Sequence, residues 1–258
     1  MIHRHQQIAS TNDEAMRLAL AGAAEMTAVV ADAQQSGRGR NGHVWESPPG
    51  VGLYVSVVLR PRVPADQLPV VTLLAGVAAA EAVSALAGVR AAIKWPNDVL
   101  VGGRKVAGLL CEADLQPASG PIVVAGLGVN VNTPVAALPP RVRFPATSLL
   151  AETGRCHDRE RLLEGFLDRL RHWMAVFVSA GPGPVLAAWR GLDALEGRAL
   201  VVTLPDGRCV RGVGSGVSAA GCLVLADGQG STEAVVAGEI RFDETVRGSK
   251  VQRFRVQG

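Results

Sequence analysis

Lysine is almost missing from this chain. Of its 26 basic side chains only three, Lys94, Lys105 and Lys250, are lysine, and the remaining 23 are arginine. A bias toward arginine acts mainly at solvated positions, where either cation serves; a site that needs a compact, mobile ammonium resists it. Two of the three lysines fall in one stretch, KWPNDVLVGGRK. Either that stretch needs ammonium chemistry or the pairing is coincidence, and the rest of the chain has to decide.

Other absences narrow the class. The four cysteines (Cys111, Cys156, Cys209, Cys222) form no CxxC and no metal-ligand spacing, which fits reduced thiols in a cytoplasmic protein. The opening MIHRHQQIASTNDE holds no apolar signal segment. The most apolar window, VVTLLAGVAAAEAVSAL, is interrupted by Thr72, Glu81 and Ser84, so it suits a buried helix better than a membrane span. Net charge is only +3 and the body has no dense basic run, a weak case for nucleic acid. The end, VRGSKVQRFRVQG, is the exception, with four cations and no acid. It is read as a frayed end or a contact for an acidic partner. A GxxxxGK[ST] loop, a GxGxxG fingerprint opening a helix and internal repeats are all lacking.

What is present is a chain of 258 residues, 48% hydrophobic and 19% charged, enough for one large domain or for one large domain with a small one attached. STNDEAMRLALAGAAEM reads as a helix capped by Thr11 with Glu14 three residues on, presenting Ala15, Leu18, Ala19 and Gly22 on one face. TAVVAD, VGLYVSVVL, AAIKW and PIVVAGLGVNV read as strands, and residues 67–87 as a helix. DVLV and RKVAGLLCEA flank Gly102-Gly103, a tight-hairpin signal. On the return strand, alternation places Lys105 with Ala107 and Leu109. PVAALPPRVRFPATSLL reads as a surface winding. DRERLLEGFLDRLRHWMAVFVSA is a helix with Leu162, Leu163, Phe166, Leu170, Trp173 and Phe177 at helical spacing. Beyond residue 195 the pattern becomes short strands (ALVVTL, CVRGVGSGV, GCLVLAD, TEAVVAGEIRF) separated by turns, the signature of a small β-barrel.

Three stretches are candidates to carry chemistry. GRGRNG at 37–42 sets two arginines among three glycines: glycine lets the backbone close on a ligand, and arginine offers a fork of donors for phosphate or carboxylate. An ordinary basic turn fits the hexapeptide equally well. Trp45 just beyond either covers a flat ligand group or packs. In KWPNDVLVGGRK, Pro96 ends a strand and leaves Asn97 and Asp98 at its end, where they reach a cleft or simply form a turn. Asp98 offers oxygen to a magnesium ion. GLGVN at 126–130 ends a buried strand with small residues and one amide.

In this order and at these separations, STN, QQSGRGRNGHVW, KWPNDVLVGGRKVAGLL and GLGVN resemble the biotin protein ligases over about residues 8–240. The resemblance implies an α+β fold: a catalytic domain related to class II aminoacyl-tRNA synthetases (a mixed sheet with helices) over 1–194, an SH3-like domain over 195–245 and the basic tail over 246–258. Because STN is reached by residue 10, the expectation is a monofunctional ligase without the N-terminal DNA-binding domain some members carry. The reaction implied is activation of biotin by ATP as biotinyl-5′-AMP, with magnesium, and transfer to a lysine of a biotin carboxyl carrier protein domain. Ser10, Thr11, Asn12, Gln34, Arg38, Gly39, Arg40 and Lys105 match biotin-binding positions. Arg38, Arg40, Trp45, Asn97 and Asn130 match positions of the nucleotide site. Lys105, Arg40 and Lys94 are the catalytic cations expected, and Asp98 the magnesium ligand. A monomer or homodimer in the cytoplasm is expected, with neither DNA nor membrane as partner. A lipoate or octanoate ligase or transferase of the same fold is the alternative, and a nucleic-acid binder using the small β-domain the more distant one.

Overall fold

The computed structural model describes residues 1–117, 120–138, 145–227 and 229–243. The expected basic tail, with Lys250, and part of the Pro-rich winding lie outside them. The chain divides into two compact units, Met1–Ala194 joined by Ala219–Gly221, and Leu195–Ser218 with the described residues from Cys222 onward.

The large unit is built on a mixed seven-stranded sheet. Its strands are β1 (Ile2–Ile8), β2 (Ala28–Gln34), β3 (Gly52–Leu59), β4 (Ala91–Lys94), β5 (Asp98–Val101), β6 (Arg104–Asp114) and β7 (Ile122–Asn130), in the order β1-β2-β3-β7-β6-β5-β4. β1 runs parallel to β2, and every other neighbouring pair is antiparallel. The sequence reading missed β1, because HRHQQ has none of the apolar alternation that marks a strand; it is a half-exposed edge. β3 lies at the opposite extreme: all eight of its residues are buried, as an interior strand covered on both faces must be.

Each face has its own helical cover. α1 (Thr11–Leu20) sets Ala15 and Ala19 against Val29, Val58, Ile122 and Val124. Its cap is Ser10, one residue earlier than expected: Ser10 is the last extended residue (φ −151°), and its hydroxyl accepts from Asp13 N at 3.4 Å. Gly22 lies beyond the helix end, at φ 92°. α2 (Val70–Ala87) covers the other face, where a Cβ added at Gly76 would stand 3.6 Å from Ile93. By length and hydropathy α2 could cross a membrane, yet most of it is buried in this unit. α4 (Arg159–Ala180) follows a short α3 (Leu149–Thr153); it is capped by Asp158 and packs on α2 through Glu81, which accepts from Arg169 at 3.1 Å and from Trp173 Nε1 at 3.2 Å. Leu162, Leu163, Phe166, Leu170 and Phe177 are buried as the spacing requires, whereas Trp173 is only half-buried. α5 (Pro182–Arg190) hides in the loop-like GPGPVLAAWR: Gly181, at φ 74°, ends α4, and Pro182 opens the next helix where its missing N–H costs nothing.

The Gly102-Gly103 hairpin forms as read, with both glycines at positive φ (58° and 77°). The face assigned to Lys105 needs correction. Pairing between β5 and β6 slips between Val99 and Leu100: Val99 is opposite Ala107, but Leu100 is opposite Lys105. This bulge adds one residue on β6 and turns Lys105 to the face opposite Ala107.

The small unit is a five-stranded antiparallel sheet. Its strands β8 (Ala199–Thr203), β9 (Cys209–Val217), β10 (Leu223–Ala226), β11 (Thr232–Val235) and β12 (Glu239–Phe242) run in the order β11-β10-β9-β8-β12. TEAVVAGEIRF, read as one strand, is two, separated around Gly238.

Candidate active site

Residues directly opposite each other in a ladder share a face of the sheet, so the registers decide which side chains meet. Lys94 is opposite Asp98, Asp98 opposite Gly108, Gly108 opposite Gly128, and Gly128 opposite Tyr54. One step along, Leu110 is opposite Gly126 and Gly126 opposite Ser56. With the bulge, Lys105 joins this face, which is also the one α1 covers at its other end.

Asp98 is the electrostatic centre. Its Oδ1 lies 2.6 Å from Lys105 Nζ and its Oδ2 2.8 Å from Lys94 Nζ. Burial alone would raise the Asp98 carboxyl, but the two ammoniums overcome that and hold it below the ordinary carboxylate range. Both oxygens are therefore engaged by cations. Asp98 does not fit the magnesium-ligand role expected of it, because a divalent ion there would meet two ammoniums, and among the described residues no cluster of metal-ligating side chains occurs.

Above Lys105 lies Trp45, its ring centroid 5.3 Å from Nζ, in cation–π range. The floor under Trp45 is bare because it has to be. A Cβ on Gly128 would stand 2.5 Å from Trp45 Nε1, and one on Gly108 would stand 3.1 Å from the Trp45 ring and 3.2 Å from Lys105 Nζ. Trp45 Nε1 is itself buried without a hydrogen-bond acceptor.

At the α1 end the STN segment docks on the same face. Asn12 donates to Leu110 O at 3.1 Å and to Glu112 Oε2 at 2.6 Å, and accepts from Ser56 Oγ at 2.5 Å. Gly126 lies directly beneath, where any Cβ would collide with Asn12 Oδ1. Thr11 donates to Gln34 Oε1 from both its backbone N (2.9 Å) and its hydroxyl (3.0 Å). Gln34 donates in turn to Ser47 Oγ at 3.0 Å, which bonds Trp45 O at 3.1 Å.

The glycine-rich loop joins the two ends. Gly39 N donates to His43 O at 2.7 Å, and Asn41 sits in the left-handed region at φ 55°. Arg38 binds Asp13 through both terminal nitrogens, at 2.8 and 2.5 Å. Arg40 is half-buried; burial lowers its pKa, and the nearby Asp98 charge opposes that. Lys94 and Lys105 thus converge on Asp98, and the charge of Asp98 also reaches Arg40 from the loop. Asn97 and Asn130 serve the backbone at the margins: Asn97 Nδ2 donates to Leu109 O at 2.6 Å, and Asn130 Nδ2 to Thr147 O at 3.0 Å.

Ser56, Gly108, Asp13, Ser47 and Glu112 are not among the site residues expected from the sequence, and of GLGVN only Asn130, not Gly126 or Gly128, is expected there. The glycines had a signal: Gly126 and Gly128 are two apart on a buried strand, the spacing of one face. Ser56, Ser47 and Glu112 had none, since their partners come from other segments.

A family described as the biotin/lipoate A/B protein ligase family matches residues 5–132. The chain is 37% identical over 182 residues to the bifunctional ligase/repressor BirA of Bacillus spizizenii, covering 70% of this chain and 56% of that protein. The chain thus spans little more than half the length of that relative. It is 34% identical over 238 residues to the biotin–[acetyl-CoA-carboxylase] ligase of Paracoccus denitrificans, covering 90% of this chain and 97% of that protein. Among solved structures, the biotin protein ligase of Aquifex aeolicus in complex with biotin and ATP matches with a TM-score of 0.81 at 26% identity, over 94% of this chain and 99% of that one.

Proposed function

The chain belongs to the biotin protein ligase family, and from that premise we propose that it activates biotin with ATP and transfers the biotinyl group to a lysine of a biotin carboxyl carrier protein domain. The observation that carries this reading is the convergence of Lys105 and Lys94 on one glycine-floored face that the STN segment also lines, beside the loop that carries Arg40.

In the first step a biotin carboxylate oxygen attacks the α-phosphorus of ATP. The bond from that phosphorus to the bridging oxygen breaks and pyrophosphate leaves. Two anions have to meet, and Lys105 and Arg40 offset their repulsion and stabilise charge growing on the phosphoryl oxygens. Lys105 Nζ exchanges Asp98 for the incoming acid group without losing an anionic partner. An ammonium on a flexible stem follows that oxygen as it becomes an anhydride oxygen; a planar fork follows it less well. Trp45 and the closed loop keep water from the anhydride. In the second step the carrier amine attacks the acyl carbon, the bond to the AMP oxygen breaks, and the amine loses its proton. This reading assigns Asn12 and Gln34 to the polar ring of biotin and Asn97 and Asn130 to the nucleotide, each held in position by its hydrogen bonds to the protein. A cytoplasmic setting agrees with the four free cysteines.

A mass increase of one biotinyl group on a carrier domain, when the protein is mixed with ATP, magnesium and biotin, is the expected result. Pyrophosphate–ATP exchange run with biotin and with lipoate separates the biotin reading from the lipoate alternative. Exchange with lipoate alone would overturn the proposal.

A further inference from the structure

Arg38 stands in the loop that faces the ligand, yet its charge is spent on the protein. Besides the two bonds to Asp13, its Nη2 lies 3.4 Å from Glu112 Oε2. The same Glu112 oxygen takes Asn12 Nδ2 at 2.6 Å, and Asn12 holds Ser56. Arg38 is thereby tied to α1 and to β6 at once, through residues that already fix the STN segment. The Asp13 carboxyl is held below its ordinary range chiefly by the Arg38 hydrogen bonds, as a committed pair requires. Arg40, two residues on, is different: among the described residues no ion pair engages it, and only the field of Asp98 reaches it.

We propose that Arg38 is a positioning residue and not a ligand contact, and that Asp13 and Glu112 are the anchors through which it fixes the start of the loop so that Arg40 meets the reacting acid group. This rests on the ligase reading and deepens it. The physical reason is the glycine content of 37–42. A segment with three glycines has many open states, and a bidentate guanidinium–carboxylate pair near its first residue removes most of them. The pair is half-exposed, with side-chain exposures of 38% for Arg38 and 57% for Asp13, so its effect is a bias on the loop and not a lock on the fold. Arg38 and Arg40, alike in sequence, then have different jobs: the first places the loop, the second meets the anion.

The test is a double-mutant cycle read in two ways. In the unliganded protein, amide exchange at residues 39–43 should quicken by up to about five-fold in Asp13→Asn and likewise in Arg38→Gln, with no further gain in the double variant. With biotin and ATP, both single variants should release more free biotinyl-AMP per transfer to the carrier, to the same degree as the double variant. Asp13→Glu, which keeps the charge, should recover most of the loss, and Glu112→Gln should show a smaller effect of the same kind. Multiplying effects, or an Arg38→Gln loss ten-fold beyond that of Asp13→Asn, would mean that Arg38 touches the ligand and would overturn the proposal. Unchanged loop exchange in both single variants would overturn it as well. A wild-type protein without biotin-dependent pyrophosphate exchange would sink the ligase reading instead, while the exchange cycle in the unliganded protein would still decide the anchor.

Discussion

Lys105 and Asp98 form an ion pair of 2.6 Å only because β6 carries a bulge that turns Lys105 onto the Asp98 face. Without that slip the lysine would lie among Ala107 and Leu109, and the carboxylate would hold Lys94 alone. Four predictions follow from this cluster and its glycine floor.

Lys105 should be irreplaceable by arginine. Its ammonium fits between the Asp98 carboxylate and the Trp45 ring, 5.3 Å away, over a glycine floor that leaves little room. A guanidinium is broader and has to displace one of them. Lys105→Met should lower biotin-dependent pyrophosphate exchange by roughly 10²–10³-fold, the usual effect of losing one preorganised donor, and Lys105→Arg should lose most of the activity despite keeping the charge. Near-normal exchange in Lys105→Arg would contradict this.

Asp98→Asn should leave the buried Lys94 ammonium and the half-buried Lys105 ammonium without their carboxylate and destabilise the protein by about 3 kcal/mol near neutral pH. Because the folded Asp98 pKa is depressed, its contribution is fully present above the ordinary value of 3.8 and is lost as pH falls through the lower folded value. Urea titrations of both proteins should show a constant gap from neutral pH down to roughly pH 4, closing only below it. The magnesium concentration for half-maximal activity should stay the same in the variant, since both Asp98 oxygens are already paired with Lys94 and Lys105.

Gly126→Ala should strike the Asn12 carboxamide, and Gly128→Ala the Trp45 ring. Each should cost about 1–3 kcal/mol of stability as an overpacked site. Gly126→Ala should also weaken biotin binding by calorimetry, because Asn12 is moved off its three partners. Gly22→Ala serves as the comparison: nothing lies near its Cβ position, so only the strain of its positive φ is added and biotin binding should be unaffected.

Arg40→Gly should still form the adenylate but let it escape. Lys105 remains to offset charge in the first step, while the loop loses the cation that ties it to the anionic intermediate. Free biotinyl-AMP in solution and labelling of bystander proteins are the readouts. Retention as tight as in the wild type would count against a closing role for the loop.

Much of the molecule was legible in the chain. The strands β2, β3, β4 and β7 and the helices α2 and α4 follow from apolar periodicity, because their burial is dictated by their own side chains. The Gly102-Gly103 hairpin follows from the positive φ that both glycines adopt. β1 and α5 were not legible. β1 is an edge strand held by backbone pairing to β2, which leaves no apolar pattern to read, and α5 opens on the glycine and proline that ordinarily signal a loop.

The same division holds at the site. The sequence by itself determined which groups were available: two lysines around a Pro-Asn-Asp turn, arginines among glycines, and an STN segment opening a helix. Their chemistry is a property of residue type and local spacing. Only the tertiary structure decided which groups meet. The bulge that brings Lys105 to Asp98 is a slip of register within one hairpin, while the two carboxylates that claim Arg38 and the glycine floor that admits Trp45 and Asn12 depend on how segments tens of residues apart are brought together. Strand pairing fixes those registers, and no local pattern encodes them, because a shift of one residue keeps the composition and reverses the face.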